Sequence, residues 1–166
     1  MFILKHYRGD GTEFAILAKG SYNISLWMKY QNYAVVIRLS QPGAVFFPEE
    51  KVVNEVSMMR FLADQTSISV PSILHSGRKE ESPLELSPFI IIDYVEHETN
   101  MYDALNTPGC PKEERGILDP NINEDTLKFL YGRLVGVLLR LSNCPFFPEY
   151  IAKRGDYWLW SESAAG

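Results

Sequence analysis

Arg38 is a cation in an otherwise apolar run, Val35-Val36-Ile37-Arg38-Leu39. A charge placed there needs a partner, because removing it from water without one is costly. Glu55 lies three residues after Val52 and four before Met59, beside the apolar stripe of the helical segment that follows, so a strand cation and a helix carboxylate can meet. Such a pair would leave guanidinium donors for α/β-phosphate oxygens while Glu55 holds the fork in orientation. Upstream, Gly20-Ser21-Tyr22-Asn23 forms a glycine turn between two strand-like segments, where backbone N–H groups can approach a phosphate without side-chain obstruction. The chemistry open to these residues together is the holding of a nucleotide polyphosphate. Plainer roles stand beside it: a hairpin turn, an edge-strand arginine with its stem on apolar surface, and an ion pair without a ligand.

Other chemistries find less support. His6, His75 and His97 are scattered, without metal spacing and without a His-Gly-Asp or His-Arg-Asp sequence, and read as structural or exposed. Cys110 and Cys144 have neither zinc-site nor disulfide-framework spacing, which suits two reduced thiols. Arg8-Gly9-Asp10 and Arg154-Gly155-Asp156 read as chance tripeptides, and Glu80-Glu81 and Lys112-Glu113-Glu114-Arg115 as solvated loop faces. A net charge of -5 without a Lys/Arg cluster argues against a nucleic-acid partner. Apolar runs such as Phe89 to Ile92 and Val135 to Leu139 fall far short of the roughly 20 residues of a membrane span. Met1-Phe2-Ile3-Leu4-Lys5-His6 lacks the plan of a secretory signal, so the expected location is cytoplasmic.

The elements that must position Arg38, Glu55 and the turn follow from patterning. Phe14 to Leu39 is rich in β-branched and aromatic residues with turns at Gly20-Ser21 and Gln31-Asn32, which predicts three antiparallel strands. Gln41-Pro42-Gly43 breaks the sheet, and Pro48-Glu49-Glu50 opens a helix with Val52, Val56, Met59 and Leu62 on one face. Ser69-Val70-Pro71 ends it, Ile73-Leu74 suits a short strand, and Gly77 to Pro88 reads as a hairpin connection. Phe89 to Tyr94 predicts a strand covered on both faces, since its apolar run is continuous. A domain boundary is expected near Val95, then a polar connection to Asp103 and a loop over 106–123. Glu124 to Asn143 predicts a helix capped by Asn123, with Leu127, Leu130, Tyr131, Leu134, Leu138 and Leu141 as its stripe. Phe146, Phe147, Tyr150, Tyr157, Trp158 and Trp160 follow and read as part of an interface whose other half is elsewhere.

On these residues the chain resembles the aminoglycoside phosphotransferase and choline kinase-like family, and looks closest to its fungal branch. The matching stretches are Gly20 to Ile24, Val35 to Leu39, Asn54 to Leu62, Ile68 to Leu74 and Pro88 to Glu96, together covering roughly residues 14 to 105. The helix stretch followed by Ile68-Ser69-Val70-Pro71 is the most specific. The resemblance implies an α+β fold: a protein-kinase-like N-terminal lobe over residues 1–95, an antiparallel sheet with one packed helix. Residues 96–166 would then hold the hinge, a loop insertion and the helical start of a truncated large lobe, with Pro145-Phe146-Phe147-Pro148 at its opening.

The same resemblance implies ATP with Mg²⁺ and phosphoryl transfer to a small-molecule hydroxyl. It implies that Gly20, Ser21, Tyr22 and Asn23 cover the phosphates, that Arg38 contacts phosphate and pairs with Glu55, and that Asp93, Tyr94 and Val95 form the hinge. The family's catalytic aspartate, in a His-Gly-Asp-like loop, has no counterpart here, nor do the asparagine and later aspartate that hold its metal. The expectation is therefore no catalytic or metal-ligating residue, an inactive chain on its own, and weak nucleotide affinity from half a cleft. Two alternatives stay open: a non-catalytic module docking a protein partner through the aromatic C-terminal segment, and a natural product longer than Gly166.

Overall fold

The computed structural model describes residues 13–30, 32–109 and 116–144. The described residues form an α+β protein in two compact units, one ending at Val95 and the other spanning Glu96–Cys144. The first carries a five-stranded sheet and a long helix. In chain order these are β1 (Glu13–Lys19), β2 (Asn23–Lys29), β3 (Ala34–Ser40), α1 (Pro48–Gln65), β4 (Ile73–Gly77) and β5 (Phe89–Asp93).

The strand order is β1-β2-β3-β5-β4, with every neighbouring pair antiparallel. The first three strands form a meander because both connections are tight. Gly20 N–H donates to the Asn23 carbonyl (2.9 Å) at one, and Tyr30 N–H donates to the Tyr33 carbonyl (2.7 Å) at the other. The Tyr30 and Tyr33 rings stack across the second connection at 4.6 Å. β1 is an edge strand exposed along its whole length, and its register slips between Ile16 and Ala18. An irregularity of that kind bends a strand and increases its twist just before the glycine turn.

Period-two alternation sorts the sheet into two faces. Val35 and Ile37 join Met28, Tyr30, Phe89 and Ile91 in one buried cluster. Ile90, between Phe89 and Ile91, points the other way and packs with Val52 and Val56 of α1. The continuous apolar run of β5 is thus buried on both sides. β3 pairs Arg38 with Ile90 and Val36 with Ile92, which puts Arg38 on the face that carries α1.

α1 starts as its sequence suggests, with Pro48 in the first turn and Glu49 and Glu50 beside it, although no side chain caps it. It ends at Thr66, whose N–H and hydroxyl both donate to the Leu62 carbonyl and whose Oγ1 accepts from Ile68 N–H. The buried stripe differs from the expected one. Val52 and Val56 are buried, but Ser57 and Phe61 continue the stripe while Met59 and Leu62 are only half-buried. Ser57 fits an apolar position because its hydroxyl donates to the Val53 carbonyl at 2.8 Å.

The β4–β5 connection consists of two short 3-10 turns, Lys79–Glu81 and Pro83–Glu85, tied to α1 where Glu49 Oε1 accepts from Lys79 N–H at 3.0 Å. In the second unit, α2 (Met101–Leu105) is a helix where sequence patterning predicted a polar connection. Asn100 caps it, its side chain accepting from Asp103 N–H, a local bond that apolar periodicity cannot reveal. A bridge between Asn106 and Leu118 orders part of the expected loop. α3 (Glu124–Ser142) is capped by Asn123, which accepts from the Asp125 and Thr126 amides. Among the described residues no helix is long and apolar enough to cross a membrane. The N-terminal hexapeptide, Gln31, Cys110 and the aromatics from Phe146 onward lie outside the described residues.

Candidate functional site

Arg38 Nη1 meets Glu55 Oε1 at 2.5 Å, so the strand cation and the helix carboxylate do form a pair. The register explains why. Arg38 projects from the α1 face of β3, and Glu55 sits one residue before Val56, which anchors the helix on Ile90, the cross-strand neighbour of Arg38. The Arg38 side chain remains 39% exposed and that of Glu55 20%. The contact runs through Nη1, and the Arg38 guanidinium has no acceptor other than Glu55 among the described residues.

In front of this pair lies an open depression of about 420 Å³, lined by Ala18, Gly20, Ser21, Tyr22, Asn23, Ser25, Val36, Arg38 and Ile92. Its floor is the α1 face of β2, β3 and β5, and its rim is the glycine turn. The volume falls within the range of small-ligand clefts. No acidic side chain lines it, in a chain whose net charge is -5. Gly20 has no positive φ, and a Cβ added there would meet the Asn23 carbonyl at an ordinary 3.7 Å. The turn itself therefore does not require glycine, and the missing side chain matters chiefly for what approaches from outside.

The turn is fastened at two points. Gln41 N–H donates to the Tyr22 carbonyl at 2.8 Å, fixing the turn to the end of β3. Lys51 Nζ donates to Asn23 Oδ1 at 2.6 Å and lies 3.5 Å from Glu55 Oε2. Ser21 and Tyr22 N–H groups have no protein acceptor among the described residues. Two residues with unpaired backbone donors, the Arg38 guanidinium and a local excess of one positive charge therefore stand at the depression. This arrangement can hold an anion with several oxygens.

Of the residues expected to touch nucleotide, Gly20, Ser21, Tyr22, Asn23 and Arg38 line this depression, with Glu55 behind Arg38. Asp93, Tyr94 and Val95 do not line it. They lie at the other end of β3, where Val35 pairs with Asp93. The Asp93 amide donates to the Ser72 carbonyl and the Tyr94 amide to the Ala34 carbonyl, so neither donor is open to a ligand. Tyr94 instead packs edge-on against Trp27, ring centroids 6.1 Å apart. Lys51 was not among the expected residues. Its signal was its place four residues before Glu55, one helical turn away on the same face. Ala18, Ser25, Val36 and Ile92 emerge only from the cross-strand register.

Among the described residues no group of three or more His, Cys, Asp or Glu side chains is placed to hold a metal ion. Comparison with protein-family models, with curated proteins and with solved structures returns no match.

Proposed function

We propose that the unit ending at Val95 is the nucleotide-holding lobe of a phosphotransferase similar to the aminoglycoside phosphotransferase and choline kinase-like family, with ATP as its nucleotide. The observation that carries this reading is the Arg38–Glu55 pair, set between the helix-bearing sheet face and a depression rimmed by the glycine turn. In a protein-kinase-like lobe a strand cation held by a helix carboxylate orients the phosphates, and transfer then depends on positioning and charge neutralisation. Here arginine takes the cation's place, and its planar fork can bond Glu55 and still present donors to a phosphate.

The transfer step is not assigned to residues of this chain. No His-Gly-Asp or His-Arg-Asp tripeptide occurs in its 166 residues, and no carboxylate set for a metal stands in the described site. The chain by itself is expected to hold the nucleotide weakly and to turn over no acceptor. Titrating ¹⁵N-labelled chain with millimolar MgATP should shift the amide signals of Ser21, Tyr22, Ser25 and Val36, and Arg38→Ala should remove those shifts. Amides unmoved in the unsubstituted chain, or moved equally in Arg38→Ala, would overturn the reading. Turnover of ATP against aminoglycoside or choline acceptors by this chain alone would overturn its inactivity.

A second reading keeps the fold and discards the nucleotide: a module that docks a protein partner. It is favoured by α3, in which no residue is buried and Phe129, Val135, Leu138 and Leu139 are each at least half exposed. Light scattering separates the two, since a monomer that binds MgATP supports the first and an assembly that does not bind it supports the second.

A further inference from the structure

The geometry points to Lys51 as a positioning residue that orients the Asn23 amide for phosphate and favours a polyphosphate over a single phosphate. This inference rests on the nucleotide reading above. An ammonium can only donate, so the 2.6 Å contact between Lys51 Nζ and Asn23 fixes the amide oxygen on the Lys51 side. The Asn23 Nδ2 hydrogens are then the part of the side chain left over, and they have no protein acceptor among the described residues. Asn23 lines the depression and Lys51 does not, so Lys51 acts through Asn23 rather than on the ligand.

The same lysine joins the turn to the cation. Lys51 lies against Glu55 Oε2 while Arg38 holds Glu55 Oε1, so one carboxylate carries a cation on each oxygen. Asn23, Lys51, Glu55 and Arg38 form one connected chain from the start of β2, through α1, to β3. Asn23 and Arg38, its two ends, both reach the depression. Asn23 lies two residues along β2 from Ser25, the cross-strand partner of Arg38, so the two donor groups are offset along the sheet. An anion with successive phosphates can offer oxygens to both at once, which is the basis for expecting it to be preferred over a single phosphate. The contact from helix to turn also keeps the turn at a set distance from Arg38.

The test uses the full chain labelled with ¹⁵N and two anions, inorganic tripolyphosphate and orthophosphate. Lys51→Met is expected to weaken tripolyphosphate binding about two- to fivefold, the worth of one partly exposed charged contact, while orthophosphate changes less. The Asn23 side-chain NH₂ signals should shift with tripolyphosphate in the unsubstituted chain and not in Lys51→Met. Lys51→Arg should restore both, and adding Asn23→Ala to Lys51→Met should cost nothing more. A Lys51→Met chain that binds as before, or losses that multiply in the double variant, would overturn the inference. Amide exchange at Ser21 and Tyr22 reads the tether without any ligand: it should quicken in Lys51→Met and recover in Lys51→Arg. If the unsubstituted chain binds neither anion nor MgATP, the nucleotide reading and the selectivity fall together, and exchange alone then decides the tether.

Discussion

Glu55 serves two cations and Arg38 serves one acid, so removing them should cost different amounts. Arg38→Gln breaks the 2.5 Å pair but leaves Glu55 against Lys51 at 3.5 Å. Exposed pairs are worth up to about 1 kcal/mol and hydrogen bonds to charged groups about 1.5–3 kcal/mol. With side chains 39% and 20% exposed, the Arg38–Glu55 pair lies near the lower of these, and Arg38→Gln should cost about 1 kcal/mol. Glu55→Gln removes the same pair and the Lys51 contact, and leaves two cations facing each other. Like charges a few ångströms apart repel by about 1 kcal/mol even at the dielectric constant of water. Its total should be about 2 kcal/mol. For a urea slope of about 2 kcal/mol/M, midpoints should fall by about 0.5 M for Arg38→Gln and about 1 M for Glu55→Gln. Sulfate should recover part of the Glu55→Gln loss, because an anion can take the place of the missing carboxylate. Equal costs, a larger cost for Arg38→Gln, or strictly additive costs when Arg38→Gln and Glu55→Gln are combined would refute the three-residue arrangement.

Three further outcomes test the scaffold. Gly77→Ala would place a Cβ 2.5 Å from the fully buried Phe89 ring, so it should destabilise by about 1–3 kcal/mol in urea unfolding, with Gly20→Ala near neutral as the control. Ile90→Ala empties the contact that seats Val52 and Val56 on the sheet and should cost about 2–5 kcal/mol; a cost below about 1 kcal/mol would mean that α1 is held elsewhere. Asn123→Ala should cost α3 about 1 kcal/mol, seen as faster amide exchange at Asp125 and Thr126, the two donors it caps.

The strands and both long helices were legible because their signals are local: β-branched runs between turns, proline and acids at a helix start, asparagine at an N-cap. The unbroken apolar run of β5 by itself implies cover on both faces, and Phe89, Ile90 and Ile91 are buried in alternating clusters. The buried stripe of α1 departs from the apolar pattern at Ser57, which is polar by type but bonds its hydroxyl to Val53 within the helix. α2 leaves no apolar signal, because five residues with an asparagine cap are too few for periodicity. At the site, the Arg38–Glu55 pair could be anticipated from a charge without an obvious partner and a carboxylate beside an apolar stripe. For Lys51 the spacing of four residues before Glu55 signals only the contact within the helix, while its contact with Asn23, 28 residues away, follows from the fold alone.

Whether Arg38 is there for the fold or for a ligand can be decided energetically. A partly exposed ion pair such as this one contributes about 1 kcal/mol at most, and even a fully buried pair can often be replaced by apolar residues of similar volume without loss of stability. Position 38 faces Ile90 and shares its side of β3 with Val36, so an apolar side chain there would extend the cluster of Val52, Val56 and Ile90. The double replacement Arg38→Leu with Glu55→Leu should therefore leave the urea midpoint unchanged or raise it, while tripolyphosphate binding disappears. Lys51 keeps Asn23 as its partner in that variant, so no buried cation is stranded. A loss of stability exceeding that of Glu55→Gln would show that the pair holds the sheet and helix together, and the case for a phosphate at Arg38 would lose its energetic basis.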